Sequence, residues 1–453
     1  MNDQSRSVLE DAAKYGIEYL EGLDTRPVAP SAHALAKLAE LDRPLGDAPS
    51  SPDDVIRELH EIGSPATMAS AGGRFFGFVI GGSLPVALAA NWLAGAWDQN
   101  SGLIVIAPIV AKCEDVAAKW MIDLFGLPAG CGAGFVTSAT AANFSALCAA
   151  RRTLCGRRGW DVEAQGLFGA PPIDVVVGDE IHASMLKALG MSGLGRERVT
   201  RVPTDAQGRM RAEKLPRLTS NSLVCIQVGN VNTGAIDPIV DVCAAAREAG
   251  AWVHVDAAFG LWAAASPVHR PLVAGIGEAD SWATDAHKWL NVPYDSGIVF
   301  CRDASALRGA MVSSAAYLVE TAQREPYQYT PDFSRRGRGV EVWAALRSLG
   351  KSGIAGLVER SCRHAWRFAA ALEEAGFEIL NDVVLNQVLV AFGDAERTAR
   401  VIAAIQADGT CWCGGTVWHD RPAMRISVSS WATTDDDVER SIDAIVRAAA
   451  RSA

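Results

Sequence analysis

Two side chains with matched chemistry stand 32 positions apart. Asp256 ends the apolar run Trp252 to Val255 and precedes the small pair Ala257-Ala258, and Lys288 sits within Thr284-Asp285-Ala286-His287-Lys288-Trp289. A carboxylate that closes a β-rich run lies at the carboxyl end of a strand, where open α/β sheets bind ligands. A lysine between His287 and Trp289, close before the strand-like run Gly297 to Cys301, is set to lose solvent and be tuned for amine chemistry. The chain has only eight lysines, so one in this apolar setting serves more than solubility. An aspartate and a lysine at one sheet edge suggest pyridoxal phosphate, with the lysine as Schiff-base amine and the aspartate keeping the ring nitrogen protonated.

Two further stretches point to the same place. Phe135 to Arg152 reads as a short strand, a turn of small hydroxyl residues and an Ala-rich helix. Ser138, Ala139 and Thr140 then lie at a helix N-terminus, whose N–H groups make a ready anion site, although an ordinary Ser/Thr cap has the same look. Asp174 to Val177 reads as a strand running into Asp179-Glu180-Ile181-His182, which sends His182 toward the crevice of Asp256. Another strand, Leu223 to Val228, ends in the polar turn Gly229 to Gly234. Strands alternating with helices predict a mainly parallel, doubly wound sheet.

The flanks position this core. Helical spacing with proline breaks predicts helices over Ser7 to Leu23, Ala32 to Leu41 and Pro52 to Ile62, then Pro85 to Trp97 and Pro108 to Phe125. The first three make a short-element arm that buries little by itself and suits packing on a second subunit. Residues 70–83 join glycines to Phe75, Phe76 and Phe78, a loop fitted to a pocket wall. After helix Ala304 to Met311, the segment Ser313 to Ser334 lacks periodicity and holds Tyr317, Tyr327 and Tyr329, so it reads as a functional loop. Helices Gly339 to Leu349 and Ile354 to Ala375 follow. Strand Val388 to Phe392, helix Ala395 to Asp408, strands Gly415 to Trp418 and Met424 to Ser429, and helix Thr434 to Ala450 then make a small α+β domain.

Composition excludes several classes. With 453 residues, 49% hydrophobic and 21% charged, the chain reads as an ordinary globular protein with ample core. A net charge of −10 argues against nucleic-acid binding, and Arg335-Arg336-Gly337-Arg338 is too short a cluster to change that. No export signal and no membrane-length apolar run are read, and the ten cysteines lack disulfide or metal spacing, Cys411-Trp412-Cys413 included. A cytoplasmic protein with reduced thiols and no metal is expected.

The motifs DEIHAS (179–184), HVDAAFG (254–260) and DAHKWL (285–290) resemble those of the group II pyridoxal-phosphate-dependent amino-acid decarboxylases, closest to the aromatic-L-amino-acid branch, from about Phe75 to Ser430. The resemblance implies a homodimer with the type I aminotransferase-like α/β fold. Its parts would be a helical arm (1–75), a large cofactor-binding domain (76–345) and a small C-terminal domain (346–453). It implies Lys288 as the Schiff-base lysine, Asp256 on the pyridine nitrogen, Ala258 and His182 on the two ring faces, and Ser138, Ala139, Thr140 and His287 at the phosphate. It also implies a substrate pocket, here Phe78, Val79 and Trp97, and a loop tyrosine that donates a proton, either Tyr327 or Tyr329. Where the aromatic branch carries a tryptophan and a Tyr-Phe-Pro-Thr run, this chain has Ser70 and Phe78-Val79-Ile80-Gly81. The implied activity is decarboxylation of an L-amino acid, aromatic favoured, to amine and CO₂. Aldehyde synthase or aminotransferase chemistry and a non-catalytic dimeric scaffold are the alternatives, and Arg74 is the candidate clamp for an acidic substrate.

Overall fold

A computed structural model describes residues 3–312 and 323–452, so Tyr317 lies outside the described residues. Seven strands form the main sheet: β1 (Gly132–Val136), β2 (Asp174–Gly178), β3 (Val199–Val202), β4 (Ser222–Gln227), β5 (Trp252–Asp256), β6 (Ser281–Asp285) and β7 (Gly297–Cys301). Their order is β1-β7-β6-β5-β4-β2-β3. Neighbours from β6 through β3 pair in parallel, and β7 runs antiparallel to both β6 and β1. Six strands therefore point the same way and place their carboxyl ends on one edge. Strands β1, β4, β5, β6 and β7 are buried along their whole length, as expected of a sheet covered on both faces.

Contact density divides the chain into two units. The larger comprises Ser83–Trp366 and Asn381–Val388 and holds the main sheet; the smaller comprises Met1–Gly82, Arg367–Leu380 and Leu389–Ala453. A second sheet has the order β10-β11-β9-β8, from β8 (Glu378–Ile379), β9 (Gln387–Ala391), β10 (Gly414–Trp418) and β11 (Arg421–Ser427). The final helix, Asp435–Arg451, opens with a capping box in which the Thr434 side chain and Asp437 satisfy each other's backbone N–H. In the N-terminal 63 residues the three expected helices are present as Asp3–Glu21, Ala32–Lys37 and Pro52–Glu58, each extended by a tighter or looser turn. The expected pair of helices after residue 338 is present within Gly339–Glu374, separated at Gly350, whose φ of 59° and ψ of 179° are not helical. Strands β3 and β6 do not stand out in the sequence. VTRV is a short, partly exposed edge strand, and SWATD mixes polar and apolar side chains without alternation, all of them buried by tertiary structure.

Helices Pro85–Trp97 and Pro108–Phe125 each start on proline, whose fixed φ suits the first turn and whose missing N–H costs nothing there. Helix Ala139–Gly156 joins β1 to β2 and lies across the sheet on small side chains: Ala142, Ala146, Ala149 and Ala150 are all buried, packed in one cluster with Val177, Val299 and Leu307. Its N-terminus comes closest at Gly297 of β7. A Cβ built there would stand 2.4 Å from the Ser138 carbonyl carbon and 2.7 Å from the Ser138 nitrogen. Glycine at 297 is thus what allows that helix start to sit against the sheet edge. Gly297→Ala is expected to lower stability by about 1–3 kcal/mol and to weaken cofactor binding, measured by chemical denaturation and by fluorescence titration; unchanged values in both would refute the steric argument.

Candidate active site

The carboxyl edge of the main sheet opens into a pocket lined by Ser138, Ala139, Thr140, His182, Ser184, Gln227, Gly229, Val231, Asp256, Ala258, Phe259, Asp285 and Lys288. Seven of the residues singled out by motif meet here: Lys288, Asp256, Ala258, His182, Ser138, Ala139 and Thr140. They come from four strand ends, β1, β2, β5 and β6, so no single segment builds the site.

Asp285 is the organising group that the motifs do not single out. Its Oδ1 accepts the Ala139 N–H at 2.5 Å, and its Oδ2 lies 3.1 Å from Lys288 Nζ. The carboxylate therefore ties the helix start to the lysine. It also occupies one of the N–H groups that the sequence offers to an anion, leaving the Thr140 amide and the two hydroxyls of Ser138 and Thr140. Ser138 caps its own helix by accepting the Ala141 N–H at 3.4 Å. A signal for Asp285 did exist: SWATD, like WVHVD, is a strand that ends on an aspartate.

Asp256 is buried at the pocket wall, and its Oδ2 accepts a hydrogen bond from Asn143 Nδ2 at 3.0 Å. Burial raises its pKa from the ordinary carboxylate value; His182, Lys288 and the Asn143 bond pull it back, and Asp285 adds to the rise. His182 caps helix Ala183–Met191, its Nδ1 accepting the Ser184 N–H at 3.2 Å. Gln227 holds the preceding loop by donating from Nε2 to the Glu180 carbonyl at 2.7 Å. The Ala258 carbonyl is fixed by Asp285 N–H at 2.8 Å and Thr284 Oγ1 at 3.3 Å, which aligns the small Ala258 side chain with the edge.

Six motif-derived residues lie elsewhere. His287 does not line the pocket: its ring is stacked on Tyr294, with Nδ1 accepting the Ser296 N–H at 3.1 Å and Nε2 3.6 Å from Asp285. Burial lowers its pKa, against the pull of Asp285. Its influence on the pocket thus passes through Asp285. Tyr327 and Tyr329 are buried in the short turn Pro326–Tyr329 rather than at a loop tip. Tyr329 joins the core cluster of β1 and helix Ala139–Gly156 under the Arg324 guanidinium, and Tyr327 packs on Phe333. Apolar burial of both rings outweighs exposure, so neither lines the pocket in this chain. Trp97 ends its helix half exposed and is not among the lining residues. Phe78 and Val79 belong to the smaller unit, Phe78 exposed and stacked on Trp412, Val79 buried.

A helix start, a lysine amine and a buried carboxylate gathered on one edge of an α/β sheet are the groups that an enzyme using pyridoxal phosphate requires. Comparison with known proteins gives the family. Residues 35–393 match the "Pyridoxal-dependent decarboxylase conserved domain", and the chain belongs to that family of amino-acid carboxy-lyases. It is 27% identical over 473 aligned residues to tryptophan decarboxylase 1 of Oryza sativa subsp. japonica, covering 94% of this chain and 90% of that protein. It is 30% identical over 322 residues to the acidic amino acid decarboxylase GADL1 of Bos taurus, covering 68% of this chain and 59% of that protein. The crystal structure of Oryza sativa TDC with PLP and tryptamine superposes with a TM-score of 0.90 at 22% identity, over all of this chain and 98% of that one.

The residues present fit the cofactor. The helix start and hydroxyls suit a phosphate, the lysine amine suits an aldehyde carbon, and Asp256 suits a protonated ring nitrogen. Lys288→Ala is expected to abolish the label that borohydride fixes on the cofactor-loaded protein. Recovery of the label on a different lysine in a tryptic digest would overturn the assignment.

Proposed function

We propose that this chain removes CO₂ from an L-amino acid with an uncharged, preferably aromatic, side chain and releases the amine. The observation that carries the substrate class is the state of Arg74. Its Nη1 donates to the Thr410 carbonyl at 2.8 Å and its Nη2 to the Asp24 carbonyl at 2.7 Å, with Nε 3.4 Å from Asp437. This guanidinium is buried and commits each of its three nitrogens to the protein itself, so it is not presented to a substrate carboxylate. Around the pocket the basic side chains are Lys288 and His182, both engaged at the cofactor in this reading. The tryptophan decarboxylase relative, aligned over nearly the whole chain, supports the same class; the acidic amino acid decarboxylase names the competing one.

Pyridoxal phosphate supplies the electron sink that takes up the electron pair left when CO₂ departs. Asp256 holds the proton on the ring nitrogen, because a carboxylate beside it raises that nitrogen's pKa. Lys288 would hold the cofactor through Nζ, Ser138 and Thr140 would hold its phosphate, and His182 and Ala258 would flank its ring. Release of an amine needs a proton at the carbon that lost CO₂. With Tyr327 and Tyr329 buried away from the pocket, we assign that proton to His182 or Lys288. The same burial favours one alternative, in which O₂ and water take part and the products are an aldehyde, CO₂, ammonia and H₂O₂. We also read the N-terminal helices as a homodimer arm, since Leu9, Ile17, Leu35 and Leu59 stand exposed on them.

Incubation of the holoprotein with each amino acid in turn, measuring CO₂, amine and H₂O₂, tests the reading. Aromatic substrates are expected to release CO₂ and amine in equal amounts. Turnover confined to aspartate, glutamate or related acids would overturn the substrate class, and H₂O₂ with ammonia would establish the aldehyde route. Sedimentation of the full chain and of a chain lacking residues 1–62 tests the arm, with dimer expected for the first and monomer for the second; a dimer in both would refute it.

A further inference from the structure

Trp252, His254 and Asp256 alternate along β5, so their side chains share one face of the sheet. Ser281 of β6 is the register partner of His254, and helix Ala139–Gly156 brings Asn143 onto that face. Asn143, His254 and Ser281 are wholly buried, and four contacts join the five side chains. Trp252 Nε1 lies 3.0 Å from Ser281 Oγ, Ser281 Oγ 2.9 Å from His254 Nδ1, His254 Nε2 2.9 Å from Asn143 Oδ1, and Asn143 Nδ2 3.0 Å from Asp256 Oδ2.

An ionised carboxylate only accepts, so Asn143 turns Nδ2 toward Asp256 and Oδ1 toward His254. An amide oxygen also only accepts, so His254 carries a proton on Nε2. Burial drives the His254 pKa down to about 3, so the ring is neutral and Nδ1 is left to accept the Ser281 hydroxyl proton. Ser281 Oγ in turn accepts the Trp252 indole N–H, which only donates. Each link pairs one donor with one acceptor, and the series ends on a carboxylate oxygen.

We propose that Asn143, His254 and Ser281 are positioning residues for Asp256, a one-way hydrogen-bond chain that keeps Oδ2 an acceptor and reserves Oδ1 for the cofactor's ring nitrogen. The proposal rests on the role given to Asp256 above. Asp256 Oδ1 accepts no hydrogen bond from the described residues, and Asp256 lines the pocket. Reversal of any link has a defined consequence. Without the Ser281 hydroxyl proton, His254 is free to carry its proton on Nδ1; Nε2 then asks Asn143 for a donor, and the amide turns its oxygen toward Asp256. Two oxygens in contact favour a proton on Asp256, which would remove the charge facing the ring.

The test uses four variants and the pH dependence of cofactor affinity. The groups acting on Asp256 are His182 before helix Ala183–Met191, Lys288 and Asp285 after and at the end of β6, Cys225 on β4, and Asn143 with His254 behind it. Ser281→Ala and Asn143→Leu are expected to weaken pyridoxal phosphate binding at neutral pH by about 10- to 100-fold, the range for partners that orient a ligating side chain. The affinity lost on acidification should begin at higher pH in both, while Ser281→Thr, which keeps the hydroxyl, restores the parent curve. Thermal midpoints of the cofactor-free proteins separate this from a packing role, since a packing role moves those midpoints and leaves the pH curve in place. If Asn143→Leu fails to fold, the serine pair decides the matter alone, because it differs by one hydroxyl. Parent-like pH curves for Ser281→Ala, alongside an impaired Asp256→Asn, would overturn the chain and leave the Asp256 role standing. A parent-like Asp256→Asn would overturn the role itself.

Discussion

The Asp285 carboxylate is the contact on which the pocket's geometry depends. Its two oxygens bind groups from opposite sides of the site, the Ala139 N–H of one helix start and the Lys288 amine. Both partners carry positive character, one as a full charge and one as the end of a helix dipole. A single buried anion thereby neutralises two positive sites that would otherwise repel across a low-dielectric gap. It also sets the charge at this edge: a helix terminus already partly satisfied, beside a lysine already paired.

Sheet topology makes that contact available. Because β7 runs antiparallel to both neighbours, β1 on the far side of it points the same way as β6, and the residues after both strands emerge on one edge. Parallel pairing through β5, β4 and β2 adds Asp256, Gln227 and the turn that carries His182. Small residues then set the spacing. The Ala-rich face of helix Ala139–Gly156 and the missing side chain at Gly297 bring the helix start within reach of Asp285. A larger residue at either place moves an N–H donor, not merely a hydrocarbon surface.

Under this edge the protein buries an unusual amount of polar chemistry. Asn143, His254 and Ser281 have no access to water, yet each has a partner, as buried polar groups require. A fully satisfied network of this kind is rigid, and losing one member leaves others unpaired at a cost of about 1–3 kcal/mol each. That stiffness suits a site whose central carboxylate must keep one orientation through a reaction.

Much of this was legible in the chain itself. WVHVD and DAHKWL state a strand-end carboxylate and a desolvated lysine, and the small hydroxyl turn at Ser138 states a helix start, because each depends on neighbours within a few residues. The starts of the helices at Pro85 and Pro108 are equally local, fixed by proline's backbone. Asp285 carries the same strand-end mark as Asp256 but closes a strand without apolar alternation, whose burial comes from β5 and β7 on either side and from helix Ala139–Gly156 across its face. Tyr327 and Tyr329 read as parts of an aperiodic loop; their burial depends on packing against β1 and Phe333, which no local pattern encodes. Local rules determined which groups this protein has to work with. The tertiary structure decided which of them meet, because hydrogen bonds between strands and helices distant in sequence are set by sheet order and close packing.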